Sequence, residues 1–151
     1  MSPMRRALPA QDGPTLQHLN FHTWQRRPVF EHDPYDQMMR RCLPAVLAGR
    51  GIVCPVWEVM PTHLHLIVAT FADLPCSTIV KHVKGDTARA FFAAFPALRV
   101  DLGGSHLWQK GCYAASITSH RQYLSTEHYI RANRANAGLL PPAPLGPVAE
   151  A

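Results

Sequence analysis

Two histidines lie one residue apart in the apolar segment "VMPTHLHLIVAT", residues 59–70. On a β-strand, side chains at positions i and i+2 project from the same face. His63 and His65 therefore stand side by side, while Leu64 and Leu66 point to the opposite face. Two neutral imidazoles in this arrangement can share one divalent metal ion. Such a pair is also common on the polar face of a half-exposed strand, so it needs support from elsewhere in the chain.

The segment "EHYIRAN" offers candidates for the remaining roles. The phenol of Tyr129 and the amide of Asn133 are four residues apart and share one face of a helix. Two imidazoles and one amide oxygen leave open positions on an octahedral ion, and this donor set favours Mg²⁺ or Mn²⁺ over zinc. Ordinary helix packing also explains a tyrosine here. Tyr123 lies on a different face and is the weaker candidate for a nucleophile.

A second set of polar residues alternates along the segment "TLQHLNFHTW". His18, Asn20 and His22 share one face if this segment is a strand, as its alternation predicts. They either compete for the metal or form the exposed face of the strand, and exposure is the favoured interpretation.

The first half of the chain predicts a helix and a hairpin after this strand. "DPYDQMMRRCLPAVLAGRG" has helical spacing, with Asp33 as N-cap and Pro34 at the first helical position. Pro44 must kink this helix or end it early. "IVCPVWEVM" and "HLHLIVAT" pair as a hairpin around Pro61, and Pro55 indicates an edge strand or a bulge.

The second half predicts a helix, a strand and a final helix. "STIVKHVKGDTARAFFAAF" is amphipathic, and "HLWQKGCYAASIT" is the last strand. The final helix begins at Ser119, with Gln122 completing a capping box, or at Ser125. This order of elements indicates an α+β domain over residues 15–138. Residues 1–14 are expected to be a flexible N-terminal tail, and residues 139–151 a Pro-rich C-terminal tail.

The composition of the 151-residue chain fits one globular domain with a basic surface. Hydrophobic residues make up 47%, and 15 Lys and Arg outnumber 10 Asp and Glu, which narrowly favours a nucleic-acid partner. No run of eighteen apolar residues is present, so we expect a cytoplasmic protein without a membrane partner. The widely spaced cysteines are expected to be reduced core residues: Cys42, Cys54, Cys76 and Cys112.

Basic side chains near the predicted strands and helices are candidates for contact with phosphates. Trp108 is the one tryptophan that we consider for stacking on a base, because it precedes Gln109 and Lys110. The candidate DNA-binding residues are Lys81, Lys84, Arg89, Lys110, Arg26 and Arg27.

Four segments, in this order, resemble motifs of the HUH single-tyrosine transposases of small bacterial insertion sequences. "VMPTHLHLIV" is similar to the histidine, hydrophobic, histidine motif of that family, and "KHVKGDTARAFFAAFP" to its second-helix motif. "LWQKGCYAASIT" resembles its last strand, and "YIRAN" its tyrosine helix. The resemblance covers roughly residues 16–136, and the ordered combination is more specific than any single motif.

The resemblance implies a ferredoxin-like fold, in which helices cover one face of a four-stranded antiparallel sheet and a C-terminal helix carries the tyrosine. It implies a metal-dependent transposase that cleaves and rejoins single-stranded DNA hairpin ends. His63 and His65 would hold the metal, with Asn133 as third ligand, and Tyr129 would form a 5′-phosphotyrosine. Many members have glutamine where this chain has Asn133, whereas relatives associated with repeated extragenic palindromes have asparagine.

The resemblance also implies single-stranded DNA hairpins as partners and a homodimer, in which each site commonly takes its tyrosine helix from the other subunit. No small-molecule substrate is expected. One alternative is a domesticated protein that binds structured single-stranded DNA without cutting it. Another is a metal-dependent hydrolase of small phosphoesters, in which water attacks instead of Tyr129.

Overall fold

Four antiparallel strands form one sheet, with helices on both of its faces. The structure is a computed structural model that describes residues 14–104, 106–142 and 145. The strands follow the spatial order β2-β3-β1-β4, so β3 and β1 are the central strands. The strands are β1 (Thr15–His22), β2 (Val56–Met60), β3 (His63–Thr70) and β4 (Tyr113–Ile117), and the helices are α1 (Asp33–Gly49), α2 (Cys76–Ala94), α3 (Pro96–Asp101) and α4 (His120–Asn136).

One face of the sheet carries the main hydrophobic core. Leu19 and Phe21 of β1 and Leu64 and Leu66 of β3 alternate along their strands and are fully buried. They pack with the apolar faces of α1 and α2, to which Phe91 belongs. The predicted inward orientation of Leu64 and Leu66 is therefore confirmed.

Helix α4 covers the opposite face of the sheet. Its one buried residue, Ile130, packs in a small cluster with Val56, Ile67 and Ile117, one from each of three strands. The architecture is α+β, with α1 and α2 on one face and the C-terminal helix in addition, as expected. None of the helices in the described part of the chain is long and apolar enough to cross a membrane.

The bounds of α1 and β2 differ from those that the sequence predicts. Helix α1 has its N-cap at His32, not at Asp33, and continues through Pro44 to Gly49, so an early end at Pro44 is wrong. Pro44 is exposed, and a helix tolerates a proline on its solvent side because water can bond the carbonyl that loses its N–H partner. Strand β2 begins only after Pro55, which lacks the N–H that a strand needs, and β2 forms an edge of the sheet as predicted.

The last strand is shorter than its sequence pattern predicts. Of the segment 106–118, only Tyr113–Ile117 belongs to β4. Gly111, with φ +81°, turns the chain before the strand, and Trp108 forms only an isolated bridge with Thr23. Cys112 in this turn is exposed, so its predicted place in the core is wrong, whereas the other three cysteines are partly buried and all four are free thiols.

The start of α4 is set by a side-chain cap. The Ser119 hydroxyl accepts a hydrogen bond from the Gln122 backbone N–H at 3.0 Å, and the Gln122 side-chain oxygen accepts one from the Thr118 N–H at 2.8 Å. The predicted start at Ser119 is confirmed, and a start at Ser125 is excluded because Ser125 lies inside the helix. Of the predicted tails, residues 1–13, 143, 144 and 146–151 lie outside the described residues.

Replacing Ser119→Ala removes this cap, and we expect it to lower the free energy of unfolding by about 1 kcal/mol. The matched control is Ser125→Ala in the same helix, where alanine loses no cap and the free energy of unfolding should stay within about 0.5 kcal/mol. Urea unfolding followed by circular dichroism measures both. Equal effects of the two substitutions would contradict the assignment of Ser119 as the cap.

Candidate active site

The histidine pair lies on the face of the sheet that α4 covers. In the register of the sheet, His63 stands opposite His22 of β1, and His65 stands opposite Asn20 of β1. His18, Asn20 and His22 thus line the same face as the pair. Their predicted exposure is wrong: all three are partly buried, because β1 is a central strand and α4 packs over this face.

The imidazole rings are in direct contact with each other. The ring centroids of His63 and His65 are 4.8 Å apart, and those of His22 and His63 are 5.4 Å apart. His65 Nδ1 lies 3.1 Å from His18 Nε2, and His63 Nδ1 lies 3.1 Å from the Thr62 hydroxyl. Both members of the pair therefore use Nδ1 within the protein and keep Nε2 for another partner.

Tyr129 and Asn133 of α4 meet the same histidines. The Tyr129 ring makes edge contacts with His65 and His18, at centroid distances of 5.6 and 6.4 Å. Tyr129 is nevertheless 50% exposed. The Asn133 side chain is close enough to His65 to raise the pKa of that ring, against the stronger lowering by burial. The phenol, the amide and the imidazoles thus converge within a single chain.

Several buried polar atoms at this place have no hydrogen-bond partner. They are His65 Nε2, Asn133 Oδ1, Asn20 Oδ1 and His22 Nδ1. An unsatisfied buried polar atom costs about 1 to 3 kcal/mol, so a group of them in one location needs an explanation. Lone pairs of imidazole nitrogen and amide oxygen are ligands that Mg²⁺ and Mn²⁺ accept, so this donor set fits a divalent cation.

A cation at this place would need an amide ligand in addition to the histidines. In the described part of the chain, no three His, Cys, Asp or Glu side chains are grouped as a metal site of those residues would require. A cation held by His63 and His65 would therefore depend on an amide oxygen for a third protein ligand. Asn133 Oδ1, which faces His65, fits that role, whereas Asn20 Oδ1 approaches from β1.

Burial keeps the imidazoles of the pair neutral. It lowers the pKa of His65 to about 3 and that of His63 to about 4, and neighbouring histidines add to the effect. Arg26 lowers the pKa of His63 further and contributes to the lowered pKa of His22, after burial. Because a metal binds the neutral form of imidazole, the ligands are ready at neutral pH without the loss of a proton.

A strained turn follows β1 and holds Arg26 near the pair. Gln25 and Arg26 both have φ +53°, a conformation that costs non-glycine residues about 1 to 3 kcal/mol each. The Gln25 N–H donates to the Gln109 side-chain oxygen at 3.0 Å, which helps to hold the turn. The turn thereby places a positive charge beside the histidines, where a phosphate would be attracted.

A basic and aromatic cavity lies next to this turn, between α2 and the loop before β4. Its volume is about 740 Å³. The indole of Trp24 contacts the His106 ring edge at 5.1 Å, and the Arg99 guanidinium lies over the Phe92 ring at 4.2 Å. Cationic residues that line the cavity are Lys84, Arg89, Arg99 and Lys110.

Known protein families include one that matches most of this chain. Residues 15–133 match the family described as transposase IS200-like. The chain belongs to the IS200-like transposase family. The match spans β1 to Asn133, so it includes every residue of the histidine site.

Individual relatives agree with this family. The chain is 27% identical to the ISDra2 transposase TnpA of Deinococcus radiodurans, over 60% of this chain and 68% of that protein. A crystal structure of a protein from Deinococcus radiodurans R1, assigned as a transposase, superimposes with a TM-score of 0.63 at 26% identity, covering 87% of this chain and 96% of that one. A REP-associated tyrosine transposase bound to a REP hairpin shares the fold, with a TM-score of 0.64 at 23% identity over 93% of this chain and 76% of that one.

Several candidate DNA-binding residues of this IS200-like transposase have partners in the protein. Lys84 donates to the backbone carbonyls of Gln109, at 2.8 Å, and Gly111, and so ties the loop before β4 to α2. Arg89 pairs with Asp86, and Arg27 donates to the Asp101 carbonyl at 3.2 Å. Lys81 is exposed on α2 but is not among the residues that line the cavity.

The predicted stacking of Trp108 on a base is wrong. Trp108 is only 5% exposed, packs in the main core, and donates its indole N–H to the Thr87 hydroxyl at 2.9 Å. Trp24 lines the cavity instead. The sequence signal for Trp24 is its position two residues after His22, because residues just beyond the end of a strand that carries site residues lie close to the site. Tyr123, the weaker nucleophile candidate, packs against the small cluster beneath α4.

Proposed function

We propose that this IS200-like transposase cleaves and rejoins the ends of single-stranded DNA hairpins through a 5′-phosphotyrosine at Tyr129. His63, His65 and Asn133 would hold Mg²⁺ or Mn²⁺ for this reaction. The observation that carries the proposal is the contact of a half-exposed phenol with His65, whose buried Nε2 lacks a partner. Family membership and the hairpin bound to the REP-associated relative support DNA as substrate.

The chemistry follows from the residues that meet at the site. A divalent ion bound here would stabilise the charge that develops on the nonbridging oxygens of a phosphate. The Tyr129 oxygen attacks phosphorus and forms the new O–P bond, while the bond from phosphorus to the 3′-oxygen breaks. The phenol gives up its proton and the departing 3′-oxygen gains one, and solvent can carry this proton because Tyr129 is half exposed.

The covalent intermediate explains how the strands can be rejoined. The phosphotyrosine keeps the energy of the broken phosphodiester bond, so a later 3′-hydroxyl can attack the same phosphorus and release Tyr129. No nucleotide hydrolysis is needed. Arg26 would help by attracting the phosphate to the histidine side of the sheet. Its charge lowers the pKa of His63 there, as a smaller cause than burial and the neighbouring His22.

The cavity beside Trp24 would hold the DNA next to the site. It combines cationic side chains for phosphates with exposed parts of aromatic rings on which an unpaired base can stack. Of the predicted DNA-binding residues, Lys110 and Arg89 line this cavity and are candidates for phosphate contact, while Arg26 lies beside the histidines. A binding protein without cleavage would need this cavity but would not need the phenol and the unpaired ligands, and this favours the enzyme.

A homodimer is part of the proposal. Among the strands of the described residues, β4 pairs with β1 alone and forms an edge of the sheet, and an edge strand can pair with the strand of a second copy. Within one chain Tyr129 already contacts His65, so the contact does not require exchange of α4 between subunits.

Tyr129→Phe is expected to abolish the covalent adduct, because the ring keeps its contacts and loses only the attacking oxygen. A pool of 3′-labelled hairpin oligonucleotides with randomised flanks, incubated with Mn²⁺, shows the adduct as a slow band on a denaturing gel. Tyr123→Phe is the matched control and should retain this band. Mixing Tyr129→Phe with a His63→Ala, His65→Ala variant restores the adduct only if the tyrosine acts across a dimer. Adduct formation by Tyr129→Phe alone would contradict the proposal.

Asn133→Ala should weaken Mn²⁺ binding by at least about tenfold, since it removes a ligand oxygen. The matched control is Asn136→Ala, one turn later and exposed at the end of the same helix. Titration of Mn²⁺ followed by the electron paramagnetic resonance signal of the free ion measures both. Unchanged affinity in Asn133→Ala would remove this residue from the ligand set.

Trp24→Ala is expected to weaken binding of single-stranded DNA by about 1 to 3 kcal/mol, the contribution of one stacked base. Because no charge is lost, the dependence of affinity on salt should not change. Lys110→Ala should instead reduce the slope of log affinity against log salt by about 1. Fluorescence anisotropy at several salt concentrations separates the two effects. The same slope change in both variants would exclude the stacking role.

A further inference from the structure

His18 makes a contact for which the proposed reaction gives no reason. Its Nε2 lies 3.1 Å from His65 Nδ1, and the two rings lie side by side with centroids 5.2 Å apart and planes 28° from parallel. His18 is on β1, opposite Ile67 in the register, so it reaches His65 diagonally across the two central strands. The contact is on the side of His65 that faces away from Nε2.

The proton in this contact can be placed by counting. A neutral imidazole has one N–H and one lone pair, so a bond between two neutral rings contains one proton, donated by one of them. If His65 gives its Nε2 lone pair to a cation, its only proton is on Nδ1. That Nδ1–H then donates to His18 Nε2, and His18 keeps its own proton on Nδ1.

Asn133 competes with His18 for the same proton. Asn133 Oδ1 has no hydrogen-bond partner and faces His65, so it could accept a proton from His65 Nε2 in the other tautomer. That tautomer would block Nε2 as a ligand. The acceptor at His18 Nε2 favours the tautomer in which Nε2 of His65 and Oδ1 of Asn133 both present lone pairs, and two facing lone pairs suit a shared cation.

The ring of His18 is itself held in place. Tyr113 of β4 makes a T-shaped contact with it at a centroid distance of 5.6 Å and Tyr129 of α4 at 6.4 Å, while His65 lies beside it. Contacts from three elements limit the rotation of the ring. The acceptor nitrogen therefore stays at a fixed position relative to β3.

We propose that His18 is a positioning residue of the metal site: by accepting the Nδ1 proton of His65, it fixes the tautomer and orientation that present His65 Nε2 to a divalent cation. This inference rests on the proposed metal site. Groups that orient a metal ligand in this way typically contribute about 10-fold to 100-fold in metal affinity.

The test compares two substitutions with different hydrogen-bonding capacity. His18→Gln places an amide oxygen near the position of the imidazole Nε2 and can accept the same proton, whereas His18→Leu fills the space without an acceptor. In the full chain without DNA, we expect His18→Leu to bind Mn²⁺ about 10-fold to 100-fold more weakly and His18→Gln to stay near the wild-type affinity. His120→Leu, at an exposed histidine of α4, is the control and should match the wild type.

The tautomer is measured independently of any metal. Long-range ¹H–¹⁵N correlation spectra of the metal-free chain should show the Nδ1–H tautomer of His65 in the wild type and in His18→Gln, and a shift toward the Nε2–H tautomer in His18→Leu. Wild-type spectra with the Nε2–H tautomer would overturn the role of His18, whether or not His18→Leu folds. So would equal Mn²⁺ affinity in a folded His18→Leu variant. If no variant, including the wild type, binds Mn²⁺, the proposed metal site fails, and the spectra still report the arrangement of His18 and His65.

Discussion

The site depends on the two-residue repeat of strand β3, which separates its two tasks. Leu64 and Leu66 point to one face and complete the core with α1 and α2, while His63 and His65 point to the other. A shift of the pairing register by one residue would exchange the two sets and bury imidazoles in the apolar core. The four fully buried core residues of β1 and β3 therefore hold the histidines in position as well as stabilising the fold.

Helix α4 completes the site with few apolar contacts. Its burial rests on Ile130 and the cluster beneath it, and its start is fixed by the Ser119 cap. Near its end, the Arg134 guanidinium donates to the Val59 carbonyl of β2 at 3.1 Å and to the Leu140 carbonyl at 2.9 Å. The Ser119 cap, Ile130 and Arg134 hold the helix on both sides of Tyr129. They therefore fix the distance of the phenol from the histidines.

Local patterns predicted the parts of the fold that local forces decide. Period-two alternation predicted the faces of β3, and the Ser119 and Gln122 pair predicted the start of α4, because both depend on neighbours in sequence. The patterns failed where tertiary contacts decide. Trp108 looks like part of a strand beside basic residues, but its indole N–H finds a buried partner in Thr87 on α2.

The candidate site shows the same division. Spacing predicted His63 and His65 as one candidate pair and Tyr129 and Asn133 as another, the family resemblance joined the two pairs, and the structure brings all four residues together. The partly buried position of His18 and its contact with His65 could not be predicted, because they depend on the order of strands in the sheet. Strand order places β1 next to β3, although about forty residues separate them in the chain.

The charges of the proposed site would link the binding of the cation to the binding of the DNA. The proposed protein ligands are two neutral imidazoles and a neutral amide, so a divalent ion would add two positive charges near Arg26 with no carboxylate among its ligands. A DNA phosphate at the open positions of the ion would balance these charges, and by linkage each ligand would then strengthen the binding of the other. In the proposed mechanism the cation would bind in the absence of DNA and more tightly in its presence, so the metal and the scissile phosphate would reach Tyr129 together.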